Sequence, residues 1–238
     1  MKLLGIDSSG LAASVSLVID GIMVAEYTTN LKKTHSQTLL PMIDEIVQMT
    51  SFDLKEIDAI AVSAGPGSFT GLRIGSSTAK GLGLALKKPI IPVPTVEGLA
   101  YNLYGTSDLI CPIMDARRNQ VYTGIYEFKG NNFNIISNQK AVEIKDLISE
   151  LNTLNRKVVF LGDGVPVYKE IIEQEMLSEF AFALPHMAIQ KAGAVCSRAE
   201  VLYQAGKIET AADHKPDYLR LSQAERERKE KLSESNLS

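Results

Sequence analysis

The sequence predicts an α/β fold in which two similar lobes arose by internal duplication. Residues 2–6 form an apolar run that ends at Asp7, and residues 109–114 form a second apolar run that ends at Asp115. After each run, apolar and polar residues alternate, which is the pattern of a half-buried strand. Helical patterns then follow in both halves. The same order of elements, found twice, predicts one repeated unit with a boundary around residues 104–108.

The first half is predicted to begin with a β-hairpin. Residues 13–19 alternate between apolar and polar side chains, and Asp20-Gly21 supplies a two-residue turn of type I′, in which both positions favour positive φ. Residues 22–27 form the returning strand. The remaining predicted elements of this half are helix 35–49, strand 58–63, helix 71–86, strand 90–93 and helix 95–104.

Two features mark the first of these helices. Thr34 and Gln37 have the spacing of a capping box, in which two side chains satisfy backbone N–H groups at the start of a helix. Pro41 lies inside the predicted helix and has no N–H, so we expect a bend or a lost hydrogen bond there.

The second half is predicted to repeat the order of strand, hairpin and helices. Its predicted strands are 109–114, 120–128, 133–137 and 157–161, and its predicted helices are 143–151, 165–175 and 188–205. We therefore divide the chain into an N-terminal lobe (1–104), a C-terminal lobe (105–221) and a charged, flexible tail (222–238).

Composition excludes several classes of protein. The 238 residues are 45% hydrophobic, which is enough for a sizeable core. The net charge is −3 and no segment concentrates basic residues, so we expect any contact with RNA to run through a partner. The N-terminus has no long apolar run, so we expect neither a signal peptide nor a membrane span. Cys111 and Cys196 lie in apolar surroundings, which predicts buried free thiols in a reducing cytoplasm.

The segment Asp7-Ser8-Ser9 has two interpretations. At the end of the first strand of actin-like and sugar-kinase folds, turn N–H groups face a nucleotide phosphate and an aspartate holds Mg²⁺ or its water shell. The alternative is a tight turn in which Asp7 accepts local hydrogen bonds, and the absence of a second phosphate-binding glycine cluster favours this alternative.

The segment Gly65-Pro66-Gly67-Ser68 is rich in glycine and precedes a helix, which is typical of a phosphate cradle. It lacks the Gly-Lys-Ser/Thr ending of a P-loop and the spacing of a dinucleotide motif. A turn set by glycine and proline dihedral angles, which starts the next helix, is the favoured interpretation.

Small residues recur every four positions along the predicted helix 71–86, at Gly71, Gly75, Ala79 and Gly83. Each interior glycine costs a helix about 1 kcal/mol relative to alanine, so the pattern predicts a close packing partner. That partner is either another part of this chain or a second protein, and the residues alone leave both open.

No set of catalytic residues is visible. His35, His186 and His214 do not have a metal-ligand spacing to another histidine or cysteine. No Gly-x-Ser-x-Gly motif is present to position a nucleophile.

Four segments together closely resemble the TsaB (YeaZ) family. They are GIDSS at residues 5–9, HSQTLLPMI at 35–43, AGPGSFTGLR at 64–73 and PDYLR at 216–220. The third segment is the most specific of the four. The resemblance implies two actin-like lobes of the ASKHA (RNase H-like) class, in agreement with the duplication.

The resemblance also implies a protein without catalytic activity. The related catalytic subunit, TsaD, holds a metal with a His-x-Glu-Gly-His-type motif on a helix. The comparable positions here keep Glu97 and Gly98, but Thr95 and Leu99 replace the two histidines. The family implies no cofactor for this chain, with ATP and metal expected on partner subunits.

By resemblance, the chain is an accessory scaffold subunit for threonylcarbamoylation of the adenosine next to the anticodon of tRNA. Such proteins pair with TsaD through their first lobe, form homodimers when alone, and help to recruit the ATPase TsaE. They meet tRNA only through the complex, in the cytoplasm and without a membrane. Positions Asp7, Ser8 and Ser9 are then a degenerate nucleotide site. The expected partner interface comprises His35, Leu39, Leu40, Ile43, Val47, Arg73, Gly75 and Ala79.

Two enzymatic alternatives stay open. The first is an ASKHA-type phosphotransferase that holds ATP with Asp7 and the turn Gly162-Asp163-Gly164. The second is a glycoprotease-like metallopeptidase, which the residues at positions 95 and 99 disfavour.

Overall fold

The computed structural model describes residues 1–31 and 33–219, and contains two five-stranded sheets. Strands β1 to β5 form the first sheet and β6 to β10 form the second. The first sheet contains β1 (Lys2–Asp7), β2 (Ala13–Ile19), β3 (Ile22–Thr29), β4 (Ala59–Gly65) and β5 (Ile90–Pro94). The second contains β6 (Leu109–Asp115), β7 (Gln120–Lys129), β8 (Asn132–Glu143), β9 (Val158–Leu161) and β10 (Phe180–Phe182).

Six α-helices occur in the part of the chain that the structure describes. They are α1 (His35–Thr50), α2 (Phe69–Leu86), α3 (Thr95–Ala100), α4 (Ile144–Leu154), α5 (Val165–Glu175) and α6 (Ala192–Gln204). Short 3₁₀ helices at Leu54–Glu56 and Tyr101–Leu103 connect some of them.

The two sheets share one topology, which confirms the predicted duplicated α/β fold. The first sheet has the order β3-β2-β1-β4-β5, and the second has the equivalent order β8-β7-β6-β9-β10. In each sheet the first three strands are antiparallel neighbours and the last two are added in parallel. Parallel strands need a crossover connection, which the helices between them supply.

Several local predictions are confirmed and others are wrong. Asp20 and Gly21 both have positive φ, as the type I′ turn requires. Strand β10 was not predicted, and the helix predicted at residue 188 begins at Ala192. The capping box is also wrong, because Thr34 makes no side-chain cap hydrogen bond. The Gln37 N–H instead donates to the backbone oxygen of Thr34 over 2.9 Å.

Helices α1 and α2 cover one face of the first sheet. Leu39, Ile43 and Ile46 of α1 form one buried apolar cluster with Val15 of β2 and Val62 of β4. Pro41 lies inside α1, where it has no N–H to donate to the preceding turn.

The opposite face of the first sheet is covered by a helix from the second half of the chain. Val195, Cys196 and Ala199 of α6 are buried in one cluster with Leu3 of β1 and Val93 of β5. Conversely, α3 of the first half packs on the second sheet, where Val96 and Leu99 cluster with residues of β6 and β7. Each half of the chain therefore contributes one helix that packs on the sheet of the other half. The division of the chain at residue 104 stays a prediction.

After α6 the chain returns to the first sheet through residues 209–219, which we call the closing segment. Glu209 pairs with Ile90 of β5 through two backbone hydrogen bonds of 2.8 and 2.9 Å. The Lys80 ammonium of α2 donates to the backbone oxygens of Ala212 and His214. The closing segment thus fastens the C-terminal half to the edge of the first sheet and to α2.

None of the helices among the described residues combines the length and the hydropathy needed to span a bilayer. The predicted tail 222–238 and Arg220 of the PDYLR segment lie outside the described residues.

Candidate functional site

Asp7 lies at the end of β1 with both carboxylate oxygens engaged by side chains or backbone of this chain. Its Oδ1 accepts hydrogen bonds from the Ser9 N–H (2.9 Å) and the Ser9 hydroxyl (2.6 Å). Its Oδ2 accepts one from the Ser63 hydroxyl of β4 (2.6 Å). Burial raises the pKa of Asp7, although these hydrogen bonds act in the opposite direction. These contacts agree with the interpretation of Asp7 as part of a tight turn in which it accepts local hydrogen bonds.

The glycine-rich turn before α2 packs directly on the turn after β1. The Ser68 N–H donates to the Ser9 backbone oxygen over 2.6 Å, and the Ser8 hydroxyl donates to the Gly71 backbone oxygen over 2.9 Å. A Cβ atom at Gly67 or Gly71 would overlap the backbone oxygen of Ser9 or Ser8, respectively. Both oxygens of the Asp7 carboxylate are therefore engaged within this chain, and the two turns pack on each other, an arrangement that does not favour a phosphate and its metal at Asp7.

The second lobe has its own acidic turn at the ends of β6 and β9. The Asp115 carboxylate accepts hydrogen bonds from the Tyr168 hydroxyl (3.0 Å) and the Arg117 N–H (2.9 Å). The Asp163 carboxylate accepts one from the Asp115 N–H (3.3 Å). Burial raises the pKa of Asp163 to about 6. The turn Gly162-Asp163-Gly164 is thus bonded within the second lobe.

The positions comparable to the TsaD metal motif are buried at the contact between α3 and α6. Thr95 is fully buried, and Leu99 is a member of the apolar cluster under α3. The Glu97 carboxylate accepts a 2.7 Å hydrogen bond from Arg198 of α6, and both side chains are about nine-tenths buried. Across the described ranges, no three His, Cys, Asp or Glu side chains are grouped so that they could hold a metal. Glu97 is therefore one half of a structural ion pair.

The structure divides the expected interface residues into two sets. Leu39, Ile43, Gly75 and Ala79 are buried inside this chain. His35, Leu40, Val47 and Arg73 are partly or largely exposed. The buried set supports the helix pair from within, and only the second set offers atoms to another molecule.

The small-residue pattern of α2 is explained within the chain. A Cβ atom at Gly75 would overlap the Ser8 hydroxyl, and one at Gly83 would lie 2.8 Å from Ala211 of the closing segment. Ala79 of the same helix is completely buried. The pattern left open whether another part of this chain or a second protein packs closely on α2. The close contacts at Gly75 and Gly83 are made by this chain itself.

An exposed surface remains between α1 and α2. A cavity of about 410 Å³ is lined there by side chains that include His35, Leu40, Arg73 and Ser77. Leu40 is 55% exposed, and Leu84, two turns after Ser77 on the same side of α2, is 59% exposed. His35 is held at the edge by a 2.9 Å hydrogen bond from Nε2 to the Gly10 backbone oxygen.

Sequence reasoning missed two residues at this surface. Phe69 and Tyr218 stack on each other beside Arg73, with ring centroids 4.2 Å apart. Both belong to segments that the sequence analysis singled out, at 64–73 and 216–220. No periodicity indicates that segments so far apart in sequence are in contact.

Comparison with known proteins places this chain among proteins of tRNA threonylcarbamoyladenosine biosynthesis. A family model described as "TsaD: tRNA N6-adenosine threonylcarbamoyltransferase" matches residues 23–229. The Bacillus subtilis (strain 168) protein TsaB is 36% identical over 228 residues, which cover 94% of this chain and 96% of that protein. The chain belongs to the TsaB (YeaZ) family. TsaB of Escherichia coli (strain K12) is 32% identical over 72% of this chain and 75% of its own length.

The similarity to TsaB covers more of the chain than the similarity to a transferase subunit. The tRNA N6-adenosine threonylcarbamoyltransferase of Persephonella marina is 29% identical over 55% of this chain and 42% of its own length. The match to the family model, over residues 23–229, shows a wider relationship between the two kinds of protein.

Solved structures agree with this fold. YeaZ from Pseudomonas aeruginosa superposes with a TM-score of 0.79 at 26% identity, and covers 92% of this chain and 99% of that one. An inorganic polyphosphate/ATP-glucomannokinase from Arthrobacter sp. strain KM superposes with a TM-score of 0.51 at 10% identity, over 84% of this chain and 98% of that one. The second similarity concerns the fold alone, which is the two-lobed ASKHA architecture.

Proposed function

We propose that this TsaB-family chain is a non-catalytic accessory subunit in the formation of threonylcarbamoyladenosine on tRNA, next to the anticodon. The relatives that match the chain over most of its length are named for that biosynthesis. In this proposal the chain pairs with a TsaD-type catalytic subunit in the cytoplasm, helps to recruit a TsaE-type ATPase, and contacts tRNA only within the complex.

The observation that supports a non-catalytic role most directly is the closed turn around Asp7. Ser9 and Ser63 satisfy both oxygens of the carboxylate, and the glycine-rich turn lies against it. The metal-motif position Glu97 is likewise taken by Arg198. In this proposal the partner subunits bind ATP and metal, and this chain provides a surface on which they dock.

The surface proposed for pairing is the exposed side of α1 and α2. We define the partner face as Leu40 and Val47 of α1 together with Arg73, Ser77 and Leu84 of α2. Exposed apolar side chains on neighbouring helices are a feature of helical interfaces. The buried residues Leu39, Ile43, Gly75 and Ala79 set the shape of this face. The same face would support a homodimer when the partner is absent.

The test is size-exclusion chromatography with light scattering, on the chain alone and mixed with the TsaD-type subunit of the same organism. We expect a homodimer that converts to a heterodimer, and threonylcarbamoyladenosine formation in the reconstituted system only when this chain is present. A chain that stays monomeric, and that neither binds the partner nor changes tRNA modification, would overturn the proposal.

A matched pair of variants locates the surface. Leu40→Glu places a charge on the partner face and is expected to weaken both associations. Met49→Glu is the control, because Met49 is also exposed (76%) on α1 but lies nine residues, or two and a half turns, away from Leu40. Equal effects of both substitutions would exclude the partner face.

A further inference from the structure

Two of the segments that carry the family resemblance, at 64–73 and 216–220, contact each other around Arg73. The Arg73 Nε–H donates a 3.2 Å hydrogen bond to the Tyr218 hydroxyl, 145 residues later in the chain. The Arg73 guanidinium lies 4.2 Å from the Phe69 ring centroid. The Phe69 and Tyr218 rings are stacked with an interplanar angle of 22°. Two aromatic rings thus hold one guanidinium at the start of α2.

The position of Tyr218 is fixed by contacts of its neighbour, Asp217. The Asp217 N–H donates to the Ala64 backbone oxygen over 2.7 Å, at the end of β4. Gly65 has a φ of +134°, and a Cβ atom there would overlap the Asp217 backbone oxygen. The Asp217 carboxylate accepts a 3.0 Å hydrogen bond from Gln139 of β8. Both sheets therefore anchor the residue that precedes Tyr218.

The remaining N–H groups of Arg73 have no acceptor in the part of the chain that the structure describes. Nε is its one hydrogen-bonding atom there, and no carboxylate among residues 1–31 and 33–219 lies within ion-pair distance of its guanidinium. The side chain is exposed and lines the same cavity as Leu40 and Ser77. A long side chain held by ring contacts loses less conformational entropy when a partner binds.

We propose that Phe69 and Tyr218 hold Arg73 as a preset fork for a carboxylate of the protein that binds the partner face. This inference rests on the proposed function, because it names the chemistry by which the partner is recognised. The two terminal nitrogens of a guanidinium match the two oxygens of a carboxylate. Phe69 and Tyr218 are positioning residues in this arrangement, and Arg73 is the contact residue.

A protein carboxylate fits this site better than an RNA phosphate, which would also accept from arginine. Arg73 shares its surface with the apolar side chains of Leu40 and Leu84, which suit a protein interface with an apolar centre. The chain has a net charge of −3, whereas a surface that binds RNA by itself concentrates basic residues.

The experiment is calorimetric titration of the full chain with the TsaD-type subunit, for the wild type and four variants. We expect Arg73→Ala to raise Kd about ten- to a hundredfold, as for an arginine at the centre of an interface. Arg73→Lys keeps the charge without the fork and is expected to raise Kd about tenfold. Tyr218→Phe keeps the stacking and removes the hydroxyl acceptor, with an expected rise of about three- to tenfold. The control, Arg117→Ala, removes an exposed arginine of the second lobe and should change Kd less than about twofold.

Ionic strength separates recognition from a merely structural effect. The association constant of the wild type should fall more steeply with added salt than that of Arg73→Ala, because the variant lacks the ion pair. Equal salt dependence, or a Kd of Arg73→Ala and Arg73→Lys that equals the wild-type value, would overturn the inference. So would a loss of tRNA affinity, without a loss of partner affinity, in Arg73→Ala. If the wild type does not bind the TsaD-type subunit, the proposed function is wrong, and this inference falls with it. If the wild type binds and the Arg73 variants bind equally well, only this inference is wrong.

Discussion

Two glycines of α2 have opposite surroundings, so the same substitution should have opposite effects on stability. Gly71 lies in the first turn, and a Cβ atom there would overlap the Ser8 backbone oxygen. Backbone atoms at the end of β1 cannot move without disturbing the Asp7 turn. Gly81 lies later in the same helix, is exposed, and has no atom within 4 Å of an added Cβ. Gly81→Ala is therefore a matched control for Gly71→Ala.

The expected magnitudes follow from these contacts. Gly81→Ala should raise the free energy of unfolding by about 0.5–1 kcal/mol, because alanine favours the helix and restricts the unfolded chain. In Gly71→Ala the higher helix propensity of alanine raises the free energy of unfolding by at most the same amount. It is opposed by overpacking of about 1–3 kcal/mol and by loss of the Ser8–Gly71 hydrogen bond, which contributes about 1 kcal/mol. The net expectation is a decrease in the free energy of unfolding of about 1–4 kcal/mol.

Urea unfolding followed by far-ultraviolet circular dichroism measures both values on the same helix. The midpoint should rise for Gly81→Ala and fall for Gly71→Ala, with similar slopes for both. If Gly71→Ala stabilises the protein as much as Gly81→Ala does, then α2 does not pack against the Ser8 turn in the way described.

Three further predictions concern buried groups. Burial raises the pKa of Asp163 from 3.8 to about 6, so its contribution to stability should fall as pH rises from about 4 to 6, by about 3 kcal/mol at most. Asp163→Asn should flatten that part of the stability–pH curve measured by urea unfolding, and an unchanged curve would contradict the cause given. Glu97→Ala leaves the nearly buried Arg198 without its carboxylate and should lower the free energy of unfolding by about 3 kcal/mol, whereas Glu97→Gln should cost less. Burial raises the pKa of Cys111 and of Cys196 to about 12, so a thiol reagent at pH 8 should label them only after unfolding, and rapid labelling of the folded chain would disprove their burial.

Sequence patterns predicted the elements whose cause is local. The hairpin at Asp20-Gly21 follows from two residues that tolerate positive φ, and the apolar runs before Asp7 and Asp115 are buried central strands. Strand β10 has three residues, none of them fully buried, and follows no periodic pattern long enough to detect. The failed capping box shows the limit of local spacing, because Thr34 has the right neighbours but makes no side-chain cap.

The remaining features depend on contacts between distant parts of the chain. Helix α6 covers the first sheet although it follows the second, and nothing in the pattern of Val195 and Ala199 indicates which sheet buries them. The expected interface residues were chosen from periodicity, which identifies the apolar stripe of a helix. It does not distinguish a stripe covered by the same chain from one covered by a partner. Leu39 and Leu40 are adjacent in sequence, yet one is buried and the other is exposed.

The segment AGPGSFTGLR resembles a phosphate-binding motif in sequence, but its glycines serve packing within this chain. Gly65 admits the backbone of Asp217, while Gly67 and Gly71 admit the backbone of Ser9 and Ser8. Ser68 caps α2 through a 3.3 Å hydrogen bond from the Gly71 N–H to its hydroxyl.

Each glycine of that segment therefore has a role that involves no ligand. A side chain added at any of these glycines would disrupt packing within the chain, whether or not a nucleotide binds. Since both oxygens of the Asp7 carboxylate accept hydrogen bonds from serines, the isolated chain should show no MgATP binding by calorimetry at millimolar nucleotide. Asp7→Ala should leave that result unchanged while lowering stability. Measurable binding that disappears in Asp7→Ala would mean that the turn opens in solution, and would restore the phosphotransferase interpretation.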